Sequence, residues 1–228
     1  MGPAAMQKTT LLDYPGKVAC TVFMGGCNFR CPFCYNCDIV EGRETMEEED
    51  IFRHLEKRRG ILDGVAVTGG EPTLWEGLIP FIKRIKAMGF CVKLDTNGNR
   101  PDVLKKAVEA GVDYVAMDIK NCRERYGETV GIEGFDTAQV EKSVAFLLGG
   151  NTDFEFRTTV VDELHTEADI ERLVSWIEGA RHYYLQRFRQ ADELLGTRVL
   201  TEPSEEKMEK LLKIARWHIK NAEIRGMD

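Results

Sequence analysis

The chain has no apolar run approaching 18 residues, so no segment of it is long enough to cross a bilayer as a helix. It also lacks the charged-then-apolar opening of a secretory signal. MGPAA, residues 1–5 ahead of Met6, reads as an expression tag or unstructured lead outside the fold. Basic residues are not in surplus: 31 Lys and Arg stand against 38 Asp and Glu, a formal charge of −7. That balance argues against nucleic acid as a partner, because phosphate backbones call for a concentrated basic face. The densest basic cluster, Lys57, Arg58 and Arg59, ends a predicted helix, where cations complement the dipole. Seven cysteines, an odd number, without an export signal, argue against a disulfide framework and for a reducing cytoplasmic setting with no membrane partner.

What the chain does have is 43% hydrophobic and 30% charged residues over a length of 228, enough for a real core. The expectation is a single domain over 6–228. Apolar, β-branched runs predict strands at 17–24, 64–68, 90–96, 113–120, 154–161, 182–188 and 223–225. Amphipathic segments at 46–60, 78–89, 101–111, about 136–148, 165–179 and 204–221 predict helices, several with clear start and stop residues. Residues 121–135, rich in glycine and charge, read as a long loop. Strict alternation of strand and helix predicts an α/β fold with a parallel sheet and right-handed crossovers, either doubly wound or curved toward a barrel. In both, ligands gather at the carboxyl ends of the strands.

Those ends carry the polar and glycine-rich residues. GGEP (Gly69, Gly70, Glu71, Pro72) follows the second strand, DTNG (Asp95, Thr96, Asn97, Gly98) ends the third, and DIK (Asp118, Ile119, Lys120) ends the fourth. Arg157 lies in the fifth, and Gln186 and Arg189 lie in and just after the sixth. After the first strand come Cys27, Cys31 and Cys34, spaced C-x3-C-x2-C, with Cys37 close behind. Thiolates this close can wrap one soft metal centre without a long loop to close. Zinc with Cys37 as fourth ligand is the structural alternative. The spacing is unlike that of paired zinc hairpins, and three thiolates on an iron–sulfur cluster would leave one iron open to a ligand. Cys37 reads as a spare thiol, and Cys20, Cys91 and Cys122 read as core residues or bystanders.

The C-x3-C-x2-C motif, with Phe33 just before its third cysteine, resembles the signature of radical S-adenosylmethionine (radical SAM) enzymes, and GGEP resembles their second motif. The resemblance implies a partial (β/α)6 TIM-like barrel with helices outside. It also implies a 4Fe–4S cluster on Cys27, Cys31 and Cys34, and S-adenosylmethionine chelated at the open iron. Around that cofactor, Gly69 and Gly70 would admit close backbone approach. Glu71 would face its ammonium, and Asp95, Thr96 and Asn97 suit ribose hydroxyls or a small cation. Asp118 and Lys120 share one strand face, and Arg157 could pair with the cofactor carboxylate. Asp118–Lys120 reads equally as a buried structural pair, and GGEP as a plain strand-to-helix turn. Phe33, Tyr35, Gln186 and Arg189 complete the expected cofactor surroundings.

LDYPGKVACTVFMGGCNFRCPFCYN, LDTNG and MDIK are more narrowly similar to the activating enzymes of glycyl radical enzymes. In the pyruvate formate-lyase activase group this implies a monovalent cation on Asp95, Thr96 and Asp118. FEFRTTVV and YLQRFR look most like the activating proteins of anaerobic ribonucleoside-triphosphate reductase. Tyr35 stands where activases often carry His. The implied reaction is reductive cleavage of S-adenosylmethionine, with a one-electron donor such as flavodoxin or ferredoxin. Hydrogen is then taken from a glycine on a partner's loop, near which residues 121–135 would lie. The competing readings are an activase of pyruvate formate-lyase-like enzymes, a radical enzyme acting on a small molecule or nucleoside, and a non-catalytic metal or cluster redox sensor.

Overall fold

Apolar runs bounded by glycine become strands, and the amphipathic segments between them become helices. The computed structural model describes residues 1–42, 45–150 and 152–227. These fall into two compact units: Met1–Asn28, Asn36–Thr96 and Arg100–Ala116 form the first, and Phe29–Tyr35, Asn97–Asn99 and the chain from Met117 onward form the second. The sheet has eight strands, hydrogen-bonded in chain order.

The first unit contains β1 (Pro3–Thr10), β2 (Ala19–Met24), α1 (Cys37–Glu41), α2 (Glu48–Lys57), β3 (Gly64–Gly69), α3 (Leu78–Ala87), β4 (Cys91–Thr96), α4 (Pro101–Glu109) and the start of β5 (Tyr114–Asp118). β2 and β3 run parallel from Ala19 opposite Gly64 to Met24 opposite Gly69, and β3 and β4 from Gly64 opposite Cys91 to Val67 opposite Leu94. Parallel neighbours need a crossover, which α2 and α3 supply. Val22, Val65, Ala66, Val67, Val92 and Leu94 are fully buried, as expected of strands covered on both faces. α2 opens on Glu48, Glu49 and Asp50, ends with His54 and Lys57, and buries Ile51, Phe52 and Leu55. α3 carries Pro80 in its first turn, where the missing N–H costs nothing, and buries Leu78, Phe81, Ile82 and Ile85. Arg84 fixes α3 against α2: its guanidinium lies 3.6 Å over the Phe52 ring and forks onto Glu49 at 2.5 and 2.9 Å.

The second unit contains the end of β5, α5 (Tyr126–Val130), α6 (Ala138–Gly149), β6 (Asp153–Val160), α7 (Glu167–Trp176), β7 (Tyr183–Arg187), α8 (Glu205–His218) and β8 (Ala222–Arg225). β6 pairs parallel with β7, and β7 with β8. α7 starts with a capping box, in which the Thr166 hydroxyl accepts from the Asp169 N–H and the Asp169 carboxylate accepts from the Thr166 N–H. Ser204 caps α8 by accepting from the Lys207 N–H.

Two expectations are corrected. Residues 3–5 are not outside the fold. They belong to β1, which pairs antiparallel with β2 from Pro3 opposite Met24 to Thr10 opposite Ala19, and Ala4 is buried. The Gly25 N–H donates to the Gly2 carbonyl and the Met46 N–H to the Pro3 carbonyl, both at 2.9 Å, so this strand tethers the chain that leads into the cysteine loop. Residues 121–135 are not one long loop: a 3-10 turn at Arg123–Arg125 leads into α5, which Gly131 ends in a left-handed conformation at φ +70°. Removing residues 1–5 is expected to cost about 2 kcal/mol, from lost ladder and tether hydrogen bonds, read as a lower urea midpoint at unchanged slope.

Candidate active site

In the first unit, the turn after β3 is pressed against the stretch that carries Cys27. The Glu71 N–H donates to the Gly26 carbonyl and the Gly70 N–H to the Met24 carbonyl, each at 2.8 Å. A Cβ on Gly70 would lie 2.0 Å from the Gly26 oxygen and 3.3 Å from the Cys27 Cβ. Gly69, at φ +115°, would place one 2.3 Å from the Met24 nitrogen. Here the close approach that glycine permits is to the cysteine loop's own backbone. Glu71 is buried, and its Oε1 accepts from the Thr73 N–H at 3.0 Å, the Thr73 hydroxyl at 2.5 Å and the Thr96 hydroxyl at 2.8 Å. The ends of β3 and β4 are thus joined through one carboxylate.

Asp95, one residue before Thr96, is ion-paired with the buried ammonium of Lys93. The sequence reading missed Lys93, although it stands two residues from Asp95 and so on the same strand face.

In the second unit, Cys31 and Phe33 are buried and Cys34 is half-buried, while Tyr35 is 66% exposed. The Cys34 N–H donates to the Cys31 carbonyl at 3.1 Å, which tightens the turn between the two thiols. A strap lies over that turn: the Leu195 N–H donates to the Cys34 carbonyl at 2.8 Å, and the Gly196 N–H to the Pro32 carbonyl at 3.1 Å. Asp118 Oδ1 accepts from Arg157 Nε at 2.8 Å and Oδ2 from Lys120 Nζ at 3.0 Å. Burial alone would raise the Asp118 carboxyl, but Arg157 and then Lys120 outweigh it and hold it well below the usual carboxylate range. Burial would likewise lower Lys120, and Asp118 and Cys31 outweigh it, so the ammonium holds its proton more tightly than usual.

Lys120 is also fixed through its backbone. The buried His165 donates from Nε2 to the Lys120 carbonyl at 2.8 Å while its Nδ1 accepts from the Val161 N–H at 3.1 Å. The Nδ1 bond requires the neutral ring, and burial lowers its pKa.

The remaining predicted residues are more scattered. Asn97 is buried and its Oδ1 accepts from the Asn99 N–H at 3.0 Å, shaping its own turn. Gln186 is half-buried in β7, opposite Thr159 and Arg225. Arg189 is exposed, with Glu202 3.4 Å away. Cys20 and Cys122 are core residues as expected, and burial pushes the Cys20 thiol up to about 12. Asp95 is paired with Lys93 in the first unit, and Asp118 with Lys120 and Arg157 in the second.

Residues 21–177 match the family model of the radical SAM superfamily. The chain belongs to the radical SAM superfamily. A protein of Methanocaldococcus jannaschii, named "Putative glycyl-radical enzyme activating enzyme MJ1227", is 32% identical over 225 residues, covering 95% of this chain and 92% of that protein. The 7-carboxy-7-deazaguanine synthase of Koribacter versatilis is 32% identical over 147 residues, 63% of this chain and 62% of its own length. Among solved structures, a domain of a pyruvate-formate lyase-activating enzyme from Bacteroides vulgatus matches with a TM-score of 0.58 at 18% identity, over 72% of this chain and 99% of that one. Streptococcus suis SuiB bound to S-adenosylmethionine matches with a TM-score of 0.70 at 13% identity, over 90% of this chain and 52% of that one. At such identities the structural likeness is one of fold.

The partial (β/α)6 class read from the sequence is the fold class of this family, and a radical SAM enzyme works with a 4Fe–4S cluster and S-adenosylmethionine. The residues fit those groups. Cys27 sits on a loop that glycine alone allows to pack so closely, and Cys31 lies in electrostatic range of a buried ammonium suited to an anionic centre.

Two outcomes follow from the buried charges. Lys93→Met is expected to destabilise the chain by about 3 kcal/mol because it removes the buried ammonium that balances the Asp95 carboxylate, and Lys93→Met with Asp95→Asn to recover most of the loss, measured by urea unfolding of the metal-free proteins. Below the ordinary histidine pKa of 6.5 the unfolded chain binds a proton that folded His165 resists, so stability is present above that pH and falls as pH drops through it. Asp169 and Lys207, which act on the ring in opposite senses, remain in His165→Gln. The variant's stability between pH 7 and 5 is expected to change less steeply than that of the unaltered protein.

Proposed function

We propose that this radical SAM enzyme is an activating enzyme for a glycyl radical enzyme, and that its partner is anaerobic ribonucleotide reductase. The observation that carries the reading is the 32% identity to the Methanocaldococcus jannaschii relative, which extends over nearly the full length of both chains. The motifs LDTNG and MDIK support the activase reading, and the segments FEFRTTVV and YLQRFR support the choice of partner.

In this reading Cys27, Cys31 and Cys34 supply three thiolates to the cluster. When bound, the cluster and S-adenosylmethionine supply reductive cleavage of the C5′–S bond and a 5′-deoxyadenosyl radical that takes a hydrogen atom from substrate. The chain's own residues position and shield. The turn at Gly69 to Glu71 and the hydroxyl of Thr96 present polar groups to the amino and ribose portions. Arg157 and Lys120, two cations set against the single carboxylate of Asp118, leave a net positive charge for an anionic portion of the cofactor. α5 and the residues after it border the path by which a partner's glycine loop enters. No side chain is required as acid or base.

The test is anaerobic reconstitution with iron and sulfide, a one-electron donor such as reduced flavodoxin, S-adenosylmethionine and the host's anaerobic ribonucleotide reductase. The expected result is 5′-deoxyadenosine together with a glycyl doublet in electron paramagnetic resonance, both abolished in Cys31→Ser. 5′-Deoxyadenosine without a doublet, on every glycyl radical enzyme of the host, overturns the activase reading and leaves a radical SAM enzyme of another substrate.

A further inference from the structure

The cysteine turn of the second unit is held by two elements far along the chain. The first is α5: the Arg30 N–H donates to the Val130 carbonyl at 2.8 Å, and a Cβ on Gly131 would lie 2.3 Å from the Arg30 oxygen. The residue ahead of Cys31 is thus pressed onto the end of that helix. The second is the strap, whose Leu195 and Gly196 amides donate to the Cys34 and Pro32 carbonyls at 2.8 and 3.1 Å.

The strap lies in the connection from β7 to α8, and its base is pinned. The Gln190 N–H donates to Glu202 Oε1 at 3.1 Å, and Arg187 Nε to the Pro203 carbonyl at 2.9 Å. Leu200 is buried, and the Thr201 N–H donates to Glu163 Oε2 at 3.0 Å. Between these pins the chain makes an Ω-like excursion. Residues 191–199 are all exposed or half-buried, so little apolar burial holds them down, and their place depends on polar contacts at the tip.

That tip is shaped for the cysteine turn. A Cβ on Gly196 would lie 2.6 Å from the Pro32 Cβ and 2.7 Å from the Pro32 Cα, closer than a side chain is tolerated. Pro32 has no N–H, so its carbonyl is the backbone polar group it can offer, and Gly196 takes it. Two residues on, Arg198 Nη1 donates to Glu128 Oε1 at 3.1 Å, and Glu128 also accepts from Arg125 at 2.7 and 3.1 Å. The contacts close a ring: cysteine segment on α5, strap on cysteine segment, strap on α5. A connection whose sole task were to join β7 to α8 would not need a residue without a side chain at its tip.

We propose that the strap is a latch that retains the cluster, and that Gly196 is the positioning residue that lets it seat: seated, it fixes the turn that carries Cys31 and Cys34 in its ligating form, and unseated, it frees that turn to release or take up iron. The inference rests on the assignment of those two cysteines as ligands. A turn closed by the Cys34 N–H on the Cys31 carbonyl alone keeps many backbone states, and tying the Pro32 and Cys34 carbonyls to the strap removes most of them before metal arrives. Ligands whose supporting backbone is already ordered hold metal more tightly than ligands that must be ordered by it.

The experiment compares the unaltered protein with Gly196→Val. Both are reconstituted anaerobically and assayed for iron and sulfide, and iron loss to a ferrous chelator such as bathophenanthroline is followed by absorbance. The expected result is a cluster in both proteins and loss about tenfold faster in Gly196→Val, which gives up both backbone bonds at the tip. The metal-free proteins are expected to melt at the same temperature, because the tip buries little. A second measurement uses the unaltered protein alone. If seating retains the cluster, the cluster must in turn favour seating, so amide hydrogen exchange in the peptide that carries Leu195 and Gly196 is expected to slow on reconstitution. Equal rates of iron loss, or exchange unchanged by the cluster, overturn the latch and leave the ligand assignment standing. A lower metal-free melting temperature in Gly196→Val also overturns it, by making the glycine a requirement of the fold. Failure of both proteins to take up iron overturns the ligand assignment and this inference together.

Discussion

Parallel pairing is the constraint from which the rest follows. A strand can lie parallel to its predecessor only if the chain crosses back, so β2, β3 and β4 each begin at the same end and finish at the other, as do β6, β7 and β8. Side chains at the finishing ends are therefore gathered by topology before any of them makes a contact. Glu71 reaching Thr96, and Arg157 reaching Asp118, are short-range consequences of that gathering between residues 25 and 39 positions apart in the chain.

The electrostatics divide by burial. Exposed pairs such as Arg53 with Asp50 and Arg59 with Glu56 are worth at most about 1 kcal/mol each, and their chief effect is on solubility. The buried acids are handled differently. Glu155 is forked by Arg225 at 2.8 and 2.9 Å, Asp169 is shared by Arg125, Arg172 and its own helix cap, and Asp118 is held by Arg157 and Lys120. Each arrangement surrounds a carboxylate with donors, which is the condition under which a charge can be kept out of water. At Asp118 that cluster also lies, through Lys120, within electrostatic range of Cys31 of the C-x3-C-x2-C motif.

Much of this was legible in the amino-acid sequence where local signals agreed with tertiary need. GVAVT and DYVAM are β-branched and apolar and could not be satisfied except as buried strands. Ser204 followed by the acids Glu205 and Glu206 is a local helix-start signal, and C-x3-C-x2-C with GGEP pointed to the family. What was not legible depended on partners distant in sequence. PAAMQKTT has little β-propensity, and it forms β1 because β2 offers a ladder and the first strand in the order tolerates Pro3. Tyr126 stands alone in a polar stretch with no apolar period to mark it, and only the packing of Phe29, Phe135 and Trp176 shows that it is buried. Lys93 drew no attention in the sequence, because only the folded sheet shows its ammonium buried against Asp95.

The first strand has one more implication. Antiparallel to β2 and first in the strand order, it has its Pro3 and Lys8 carbonyls met by the Met46 N–H and the His54 ring, and it belongs to a segment with a proline at its start, Lys8 and two polar neighbours exposed near its end, and breaks in register on both sides of Ala5 to Gln7. Such a border offers a poor template to a stray β-segment from another molecule. Without it, β2, apolar but for Thr21, would be the rim, and sticky self-association of the chain would be the natural result.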